Sequence, residues 1–258
     1  MKYPKISVVI PSFNKVKFIK KTLDSIIDQK YSNIEVIIQD GGSTDGTLEI
    51  IKSYQNKYQK IIKLESKKDN GQLDAINTGF KKATGEILTY INADDLYDGN
   101  VFEVVSGYFL ENPKSLWFAG KGKVINEKGA EIAKLATWYK NFLFFINSKL
   151  CLFITNYLMQ PSVFLTREAH QKYGPFTGTT NFVMEYEMWL KLAKLKMPCL
   201  INKNLTKFRI EANTKTKKMS DKLLAEDEKI VMKFTHNIVI LTLHRLHNFV
   251  RLIFSNFV

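Results

Sequence analysis

The first 120 residues alternate between short apolar runs and segments with helical periodicity. Four β-rich runs, KISVVI, IEVIIQ, KIIKLE and EILTYI, are separated by amphipathic stretches such as KVKFIKKTLDSIIDQ and QLDAINTGFKKA, and SLWFAG is a candidate fifth strand. Strands joined by helical crossovers pair in parallel and are covered on both faces. The alternation therefore predicts an α/β fold with a Rossmann-like, mainly parallel sheet flanked by helices.

Polar or turn-forming residues follow every one of these strands. PSFN follows the first strand, Asp40 the second, KKDNGQ the third and NADD the fourth. In open parallel sheets, ligands bind beyond the carboxyl ends of the strands. Each group also has a structural interpretation: Asp40 can belong to a tight connection or accept hydrogen bonds from a base or ribose, and Asp69 can cap a helix or face a base.

Asp94 and Asp95 place two like charges side by side at the end of the fourth strand, in a chain with a formal charge of +13. Adjacent carboxylates raise each other's pKa, so a positive group is expected between them and their target. They can favour the N-terminus of the next helix, or they can hold a divalent cation, Mg²⁺ or Mn²⁺, that bridges to substrate phosphates. Their position at a strand end favours the cation.

The second half of the chain has a different pattern. Residues 142–159 are very apolar but are interrupted at Asn147–Lys149, residues 203–218 are basic and polar, and FVMEYEMWLKLAKLK predicts a helix. Glu185 and Glu187 in that helix are either solvent-facing acids or candidates for a general base. From His236 onward no acid occurs, and an apolar stripe opposes a polar one. That tail is expected either to pack on the domain or to lie on an anionic membrane surface. The apolar stripe comprises Val239, Leu243, Leu246, Val250, Ile253 and Phe257, and the polar stripe Asn237, His244, Asn248, Arg251 and Ser255.

Composition narrows the class of partner. The excess of lysine and arginine suggests a polyanionic ligand, but the lysines are scattered and no nucleic-acid-binding motif accompanies them, so nucleic acid is not expected. Two cysteines form neither a disulfide framework nor a metal cluster, and no signal or long apolar run is present, which favours the cytoplasm. The sequence also lacks a dinucleotide fingerprint, a P-loop, a nucleophile elbow and HExxH.

Four ordered segments together resemble the family 2 glycosyltransferases of the GT-A fold. They are ISVVIPSFNKVKFIKKTLDSIIDQKYSNIEVIIQDGGSTDGTLEII, DNGQLDAINTGFKKATGEILTYINADDLY, QPSVFLTRE and MEYEMWLKLA, and the likeness covers residues 5–215. The resemblance implies inverting transfer of a sugar from a nucleotide-diphospho-sugar, a UDP-sugar first of all, to an acceptor hydroxyl. A glycan or lipid-linked acceptor in cell-surface polysaccharide or glycolipid synthesis is implied.

The resemblance assigns roles to matching positions. It places the catalytic base at Glu185 and a metal ligand at Asp94, with Asp95 as its neighbour in the metal pair. It implies a GT-A domain over residues 1–220, with a nucleotide-sugar half to about 120 and an acceptor half from about 121, and a helical tail over 221–258. The nucleotide-sugar side comprises Pro11, Ser12, Phe13, Asp40, Asp69, Asn92, Ala93 and Asp94, and the acceptor side Gln160 and Trp189.

Three departures from the family pattern bear on activity. Asn92 replaces the first Asp of the D-x-D motif, which predicts weaker metal binding. Gly41 stands where many members have a second Asp. Glu185 is one methylene longer than the usual Asp, and Glu187 is the alternative base. These departures leave a second interpretation open, a non-catalytic relic of the fold that binds sugar nucleotides or glycans.

Overall fold

The computed structural model describes residues 3–177, 183–211 and 220–255. The strands are β1 (Ile6–Ser12), β2 (Ile34–Asp40), β3 (Ile62–Ser66), β4 (Ile87–Tyr90), β5 (Leu96–Tyr97), β6 (Trp117–Ile125), β7 (Glu131–Ile132), β8 (Val163–Thr166) and β9 (Cys199–Arg209). The helices are α1 (Ile19–Ile27), α2 (Thr47–Lys57), α3 (Gln72–Lys82), α4 (Val101–Glu111), α5 (Lys134–Ile146), α6 (Lys149–Ile154), α7 (Arg167–Tyr173), α8 (Met184–Leu195), α9 (Ser220–Met232) and α10 (Ile238–Ser255), with a 3-10 turn at Gln160–Ser162.

These strands form one sheet in the order β3-β2-β1-β4-β8-β6-β9-β5, and β7 pairs with β6. The first four strands are parallel, as the alternation of the sequence predicts. Every residue of β1 and β2 is buried, because helices cover both faces. Val9 and Ile37 point into one apolar core, whereas Val8 and Val36 point into the other. The α/β prediction is therefore confirmed.

The other half of the sheet is mixed. β8 runs antiparallel to both β4 and β6, whereas β9 runs parallel to β6. The sequence did not indicate β9, because three consecutive polar residues, 202–204, are exposed, and Thr206 and Arg209 are buried where apolar residues are expected. Its pairing with β6 also shifts register near Lys121. The predicted interruption at Asn147 is observed as the boundary between α5 and α6, where Ser148 Oγ caps the second helix by accepting from Leu150 N at 3.2 Å.

The last two helices pack on the domain through polar contacts. On α10, the Nδ1 atom of His244 lies 3.0 Å from the carbonyl oxygen of Phe153, and Asn248 Nδ2 lies 2.9 Å from His244 Nε2. Of the polar stripe, His244 and Asn248 are buried and Asn237 is exposed, while the apolar stripe faces outward as far as Val250. Leu241, which belongs to neither stripe, packs into the apolar core. Ile253 and Phe257 of that stripe, and Ser255 of the polar one, lie outside the described side chains. Within the described residues, no helix combines the length and hydropathy needed to cross a bilayer.

Candidate active site

The loops that follow β1 and β2 are fastened to each other beyond the carboxyl edge of the sheet. Asn14 N donates to Ser43 Oγ at 2.9 Å, and Asn14 Oδ1 accepts from Thr44 N at 2.9 Å. Val16 N donates to Asp45 Oδ2 at 3.1 Å. Hydrogen bonds between loops fix their relative position, so these two strand ends form one continuous surface at this edge, the candidate cleft.

Asp40 is the buried centre of this wall. Its Oδ2 atom accepts from Ser43 N at 3.0 Å and from Ser66 Oγ at 2.7 Å, which ties the end of β2 to the end of β3. Asp69 lies beside it, since a Cβ placed on Gly41 would be 3.0 Å from Asp69 Oδ2. The structure thus brings Asp40 and Asp69 together, and the missing side chain of Gly41 leaves room for the Asp69 carboxylate.

The three residues at the end of β1 differ in exposure. Pro11 and Ser12 are buried, whereas Phe13 is 59% exposed. Ser12 Oγ has no hydrogen-bond partner among the described residues. A buried hydroxyl without a partner is costly, so Ser12 is a candidate for contact with a ligand at this edge.

Asp95 does not face the cleft. It is fully buried, its Oδ1 accepts from Arg209 N at 2.7 Å, and its Oδ2 accepts from Asn92 Nδ2 at 3.1 Å. Burial and the adjacent Asp94 raise the pKa of Asp95 well above its ordinary value. The expectation that Asp95 shares a metal with Asp94 is therefore corrected: both of its oxygens are used to hold the strand end in place. Ala93 is buried in the apolar core as well.

Arg209 at the end of β9 organises the segment that carries these acids. Its Nε donates to the carbonyl oxygen of Asp94 at 2.7 Å, and its guanidinium carbon lies 4.8 Å from the ring centre of Phe18. The side chain is buried and also donates to two carbonyl oxygens of the β6–β7 turn. It is one of the positive groups that the adjacent carboxylates require.

The second positive group is Lys15. Its ammonium contacts Asp94 Oδ2 at 2.6 Å and Glu211 Oε1 at 2.5 Å, so one cation joins the ends of β1, β4 and β9. Burial lowers the pKa of Lys15, but the two carboxylates outweigh it and raise that pKa above its ordinary value. Glu211 was not among the residues predicted for the site.

Asp94 fits the role of a metal ligand better than its neighbours do. Its carboxylate reaches the cleft and is bound there by a cation, and carboxylate oxygens are the ligands that Mg²⁺ and Mn²⁺ prefer. Asn92 lies beside it, and its Oδ1 accepts from Gln72 Nε2 at 2.6 Å. The described residues contain no cluster of three or more metal-ligating side chains. Phosphate oxygens and water would have to complete the coordination.

Glu185 and Glu187 begin α8 in opposite electrostatic environments. Burial raises the pKa of Glu185 to about 7, and the nearby Asp227 adds to the rise. Glu187 contacts Lys233 at 3.0 Å and Lys191 at 3.4 Å, and these contacts outweigh burial and lower its pKa. Glu185 forms no ion pair with any residue that the structure describes. Glu185 therefore has the properties of a general base, whereas Glu187 is a neutralised structural acid.

Tyr90, at the end of β4, lies near enough to Glu185 for the charge of Glu185 to affect it. Burial raises the pKa of Tyr90 well above its ordinary value, and the charges of Glu185 and Asp95 contribute to the rise. Gln160 belongs to the same region, since its Nε2 donates to the carbonyl oxygen of Tyr90 at 2.9 Å. Trp189 is buried and stacks on Trp117 with ring centres 5.6 Å apart. Its ring packs in the core under α8 and does not reach the cleft surface.

A family model named "Glycosyl transferase family 2" matches residues 7–174. The chain belongs to glycosyltransferase family 2. The match covers β1 to α7 and ends before Glu185, so the assignment of the family depends on the strand ends and not on the candidate base.

Curated relatives are also glycosyltransferases. A dolichyl N-acetyl-alpha-D-glucosaminyl phosphate 3-beta-D-2,3-diacetamido-2,3-dideoxy-beta-D-glucuronosyltransferase of Methanococcus voltae is 34% identical over 165 residues, which cover 55% of this chain and 50% of that protein. An uncharacterized glycosyltransferase of Rickettsia conorii is 30% identical over 212 residues, 82% of this chain and 34% of that protein. The chain spans half or less of the length of these relatives.

Solved structures confirm the GT-A fold. A mannosyltransferase from Pyrobaculum calidifontis, in complex with GDP-Man and Mn²⁺, superposes with a TM-score of 0.71 at 17% identity and covers 96% of this chain and 72% of that one. Residues 1–349 of TarS from Staphylococcus aureus, in complex with UDP-GlcNAc, give 0.64 at 18% identity, with 89% and 71% covered. Members of the fold therefore bind nucleotide sugars.

Sequence reasoning missed Lys15, Arg209 and Glu211. Two signals were available. Lys15 directly follows PSFN at the end of the first strand, and Glu211 is the single acid between Glu187 and Asp221, in a strongly basic stretch. Arg209 gave no signal of its own, because β9 was not expected and its register alone carries this side chain to Asp94 and Asp95.

Proposed function

We propose that this chain transfers a sugar from a nucleotide-diphospho-sugar, a UDP-sugar first of all, to an acceptor hydroxyl with inversion of the anomeric centre. The observation that supports the proposal most is the difference between Glu185 and Glu187 on α8. Glu185 is a partly buried carboxylate without an ion pair in the described structure and with a pKa raised to about 7, beside the end of β4. A base with a pKa near the working pH is suited to remove a proton from an alcohol.

The residues divide the work as follows. Pro11, Ser12 and Phe13 would line the nucleotide, and the Ser12 hydroxyl would hydrogen-bond to it. Asp40 and Asp69 would contact the base or ribose from the second and third strand ends. Further along the cleft, Asn92 and the backbone of Ala93 would contact the donor, and Gln160 would lie toward the acceptor.

Asp94 would hold Mg²⁺ or Mn²⁺ against the diphosphate. The bound cation would offset the negative charge that grows on the leaving diphosphate. Glu185 would take the proton of the acceptor hydroxyl. The oxygen of that hydroxyl would bond to the anomeric carbon as the bond between this carbon and the diphosphate breaks. A single displacement of this kind inverts the centre and requires no enzyme nucleophile.

A panel of nucleotide sugars tests the proposal. We expect release of the nucleoside diphosphate from one UDP-sugar, accelerated by Mn²⁺, and NMR of the freed or transferred sugar should show the opposite anomer. GDP-sugars belong in the panel, because one structural neighbour was solved with GDP-Man and another with UDP-GlcNAc. Retention of the anomer would contradict the mechanism. Tight binding without turnover would favour the non-catalytic relic.

We further propose that the protein acts on glycan or lipid-linked acceptors for a cell-surface polymer or glycolipid, at the cytoplasmic face of an anionic membrane. Two helices support a membrane-facing surface. Large apolar side chains project from α5, among them Leu135 at 84% and Trp138 at 67% exposure, and from α10, among them Val239 at 63% and Phe249 at 61%. Tyr139 of α5 stacks on His247 of α10 with ring centres 5.8 Å apart, so the two stripes adjoin.

Charge favours an anionic surface as the occupant. No acid occurs between Glu131 and Glu168 or after Glu228, so neither exposed stripe carries a negative side chain. Arg245 on α10 is exposed but forms an ion pair with Glu228 at 2.7 Å, whereas Lys134 at the start of α5 is exposed and forms no ion pair with the residues that the structure describes. Apolar side chains with cations and no acids match the interface of anionic lipids.

Co-sedimentation with vesicles checks the membrane proposal. We expect wild-type protein to bind vesicles of phosphatidylglycerol and phosphatidylcholine, and Leu246→Glu to reduce binding about tenfold, because it places a carboxylate on the apolar stripe. Leu195→Glu is the matched control, since Leu195 is similarly exposed at the end of α8, away from both stripes. Equal binding by Leu246→Glu and wild type, or self-association through this face without lipid, would overturn it.

A further inference from the structure

Lys15 occupies a position between two carboxylates that come from opposite ends of the chain. Its ammonium contacts Asp94 Oδ2 at 2.6 Å and Glu211 Oε1 at 2.5 Å. The Lys15 ammonium touches both oxygens, so they lie at most about 5 Å apart, and a small approach of the two carboxylates would let them share one metal ion. Without a cation between them, they would repel each other in a partly buried place.

The backbone on both sides holds this arrangement. Lys15 N donates to Thr47 Oγ1 at 2.7 Å, and the carbonyl oxygen of Lys15 accepts from Phe18 N and Ile19 N. Arg209 fixes the other side, because it binds the Asp94 carbonyl oxygen at 2.7 Å and stands two residues before Glu211. The backbones of Lys15 and Asp94 are therefore held in place, and Glu211 is joined to them through the Lys15 ammonium.

We propose that Asp94 and Glu211 form a two-carboxylate cation site in which Lys15 is the resident counter-ion, and that a divalent metal competes with the Lys15 ammonium for the same oxygens. This rests on the proposed function in one respect only, that a metal belongs to the donor complex. An ammonium neutralises one of the two carboxylate charges, whereas Mg²⁺ or Mn²⁺ neutralises both and binds oxygen directly. The exchange gives Glu211 a role that compensates for Asn92, the neutral residue of the D-x-D-like motif.

The competition predicts opposite effects for two substitutions. Lys15→Gln removes the competing cation and should tighten Mn²⁺ binding about tenfold, since a charge-assisted hydrogen bond no longer has to be displaced. Glu211→Gln removes one ligand and should weaken Mn²⁺ binding about tenfold. A purely structural role for Lys15 would give weaker binding, or none, after either change.

The test is a titration of the full chain with Mn²⁺ alone. Water-proton relaxation is the readout, and it reports bound Mn²⁺ without nucleotide or catalytic activity. Lys20→Gln is the matched control, because Lys20 also pairs with a carboxylate, Asp24 at 2.8 Å, but on the exposed surface of α1. Circular dichroism confirms that each variant is folded. If Lys15→Gln does not fold, Lys15→Met takes its place, because it keeps the length of the side chain and removes only the competing charge.

Tighter binding by Lys15→Gln with weaker binding by Glu211→Gln would support the exchange. Mn²⁺ affinities equal to those of wild type and Lys20→Gln in both variants would overturn it. A parallel titration with UDP and GDP separates this inference from the proposed function. If nucleotide binds with metal and both variants match wild type, the exchange alone fails. If no nucleotide binds while the variants shift Mn²⁺ affinity as expected, the donor assignment alone fails.

Discussion

The two edges of the parallel sheet both carry buried or half-buried acids next to lysines. The edges differ in how completely the polar groups are paired with donors. At the amino edge, Glu35 accepts from Ser7 Oγ at 2.6 Å, from Thr84 N at 2.6 Å and from Lys63 Nζ at 2.8 Å. At the carboxyl edge, the Ser12 hydroxyl has no partner in the described structure and Glu185 has no ion pair there. The acid of the amino edge is fully paired, and we call that edge closed; the carboxyl edge, which we call open, carries an unpaired hydroxyl and an acid without an ion pair beside the paired Asp40, Asp94 and Asp95.

The difference is visible in the pKa values of two glutamates. Burial raises the pKa of both, but for Glu35 the hydrogen bonds from Lys63, Ser7 and Thr84 outweigh it and bring the pKa to about 2. For Glu185 burial dominates, and its pKa rises to about 7. The residue type is the same, so the role of an acid in this chain is decided by what its neighbours donate to it.

Glu185→Gln should produce the largest effect. An amide cannot accept the proton of the acceptor hydroxyl, so we expect kcat to fall about 10²- to 10⁴-fold while the melting temperature changes little. Glu187→Gln is the matched control two residues along α8, on a different face of the helix: it disturbs the contacts with Lys191 and Lys233 and should leave kcat within about threefold of wild type. If the two variants lost activity equally, the distinction between them would be wrong.

Glu35→Gln should affect stability and not the site. Removing the charge leaves buried donors mismatched, and we expect a loss of about 3 kcal/mol in the free energy of unfolding by urea denaturation. Because the pKa of Glu35 is lowered from its ordinary 4.5 to about 2, its stabilising charge is present above about 4.5 and lost as the pH falls toward 2. A variant as stable as wild type at pH 7 would contradict the closed-edge account.

The pH profile of the wild-type enzyme sharpens the contrast at the open edge. A base with a pKa of about 7 must be deprotonated to act, so the single-turnover rate should rise about tenfold per pH unit below 7 and level off above it. Glu187 has a lowered pKa and would already be ionised throughout that range. A rate independent of pH between 5.5 and 8 would speak against Glu185 as the base.

Gly41→Ala should give the smallest effect. The added Cβ would lie 3.0 Å from Asp69 Oδ2, which has to shift by a few tenths of an ångström, so we expect UDP to bind about threefold more weakly by calorimetry. Gly99→Ala is the control, because nothing lies within 4 Å of its added Cβ. Unchanged affinity in Gly41→Ala would mean that Asp69 does not contact the nucleotide.

The periodic part of the sequence predicted most of this fold. β1 to β4 and α1 to α4 follow from alternating apolar runs, and the location of Asp40, Asp69 and Asp94 at one edge follows from parallel pairing. β9 could not be predicted, because its buried and exposed side chains do not alternate along the strand. Contacts that join distant segments were equally hidden: Lys15 meets Glu211 only after β9 has taken its register.

The sequence identified the candidate acids but did not predict their burial or their hydrogen-bond partners. Asp94 and Asp95 are adjacent and chemically identical in the sequence, yet one faces the cleft and the other is held by Arg209 and Asn92. Glu185 and Glu187 differ in the same way. Backbone direction and long-range donors decide these cases, and neither is encoded in the local pattern. The division into a domain and a tail stays a prediction.

Calorimetric titration of UDP and GDP into the full chain, with Mn²⁺ and with chelator, tests the open-edge account most directly. The account predicts that one nucleotide binds in Mn²⁺, that chelator weakens this binding at least about tenfold, and that Asp94→Asn has the same effect. Binding that is equal in chelator or in Asp94→Asn, or no binding of either nucleotide, would contradict the assignment of this edge as the donor site.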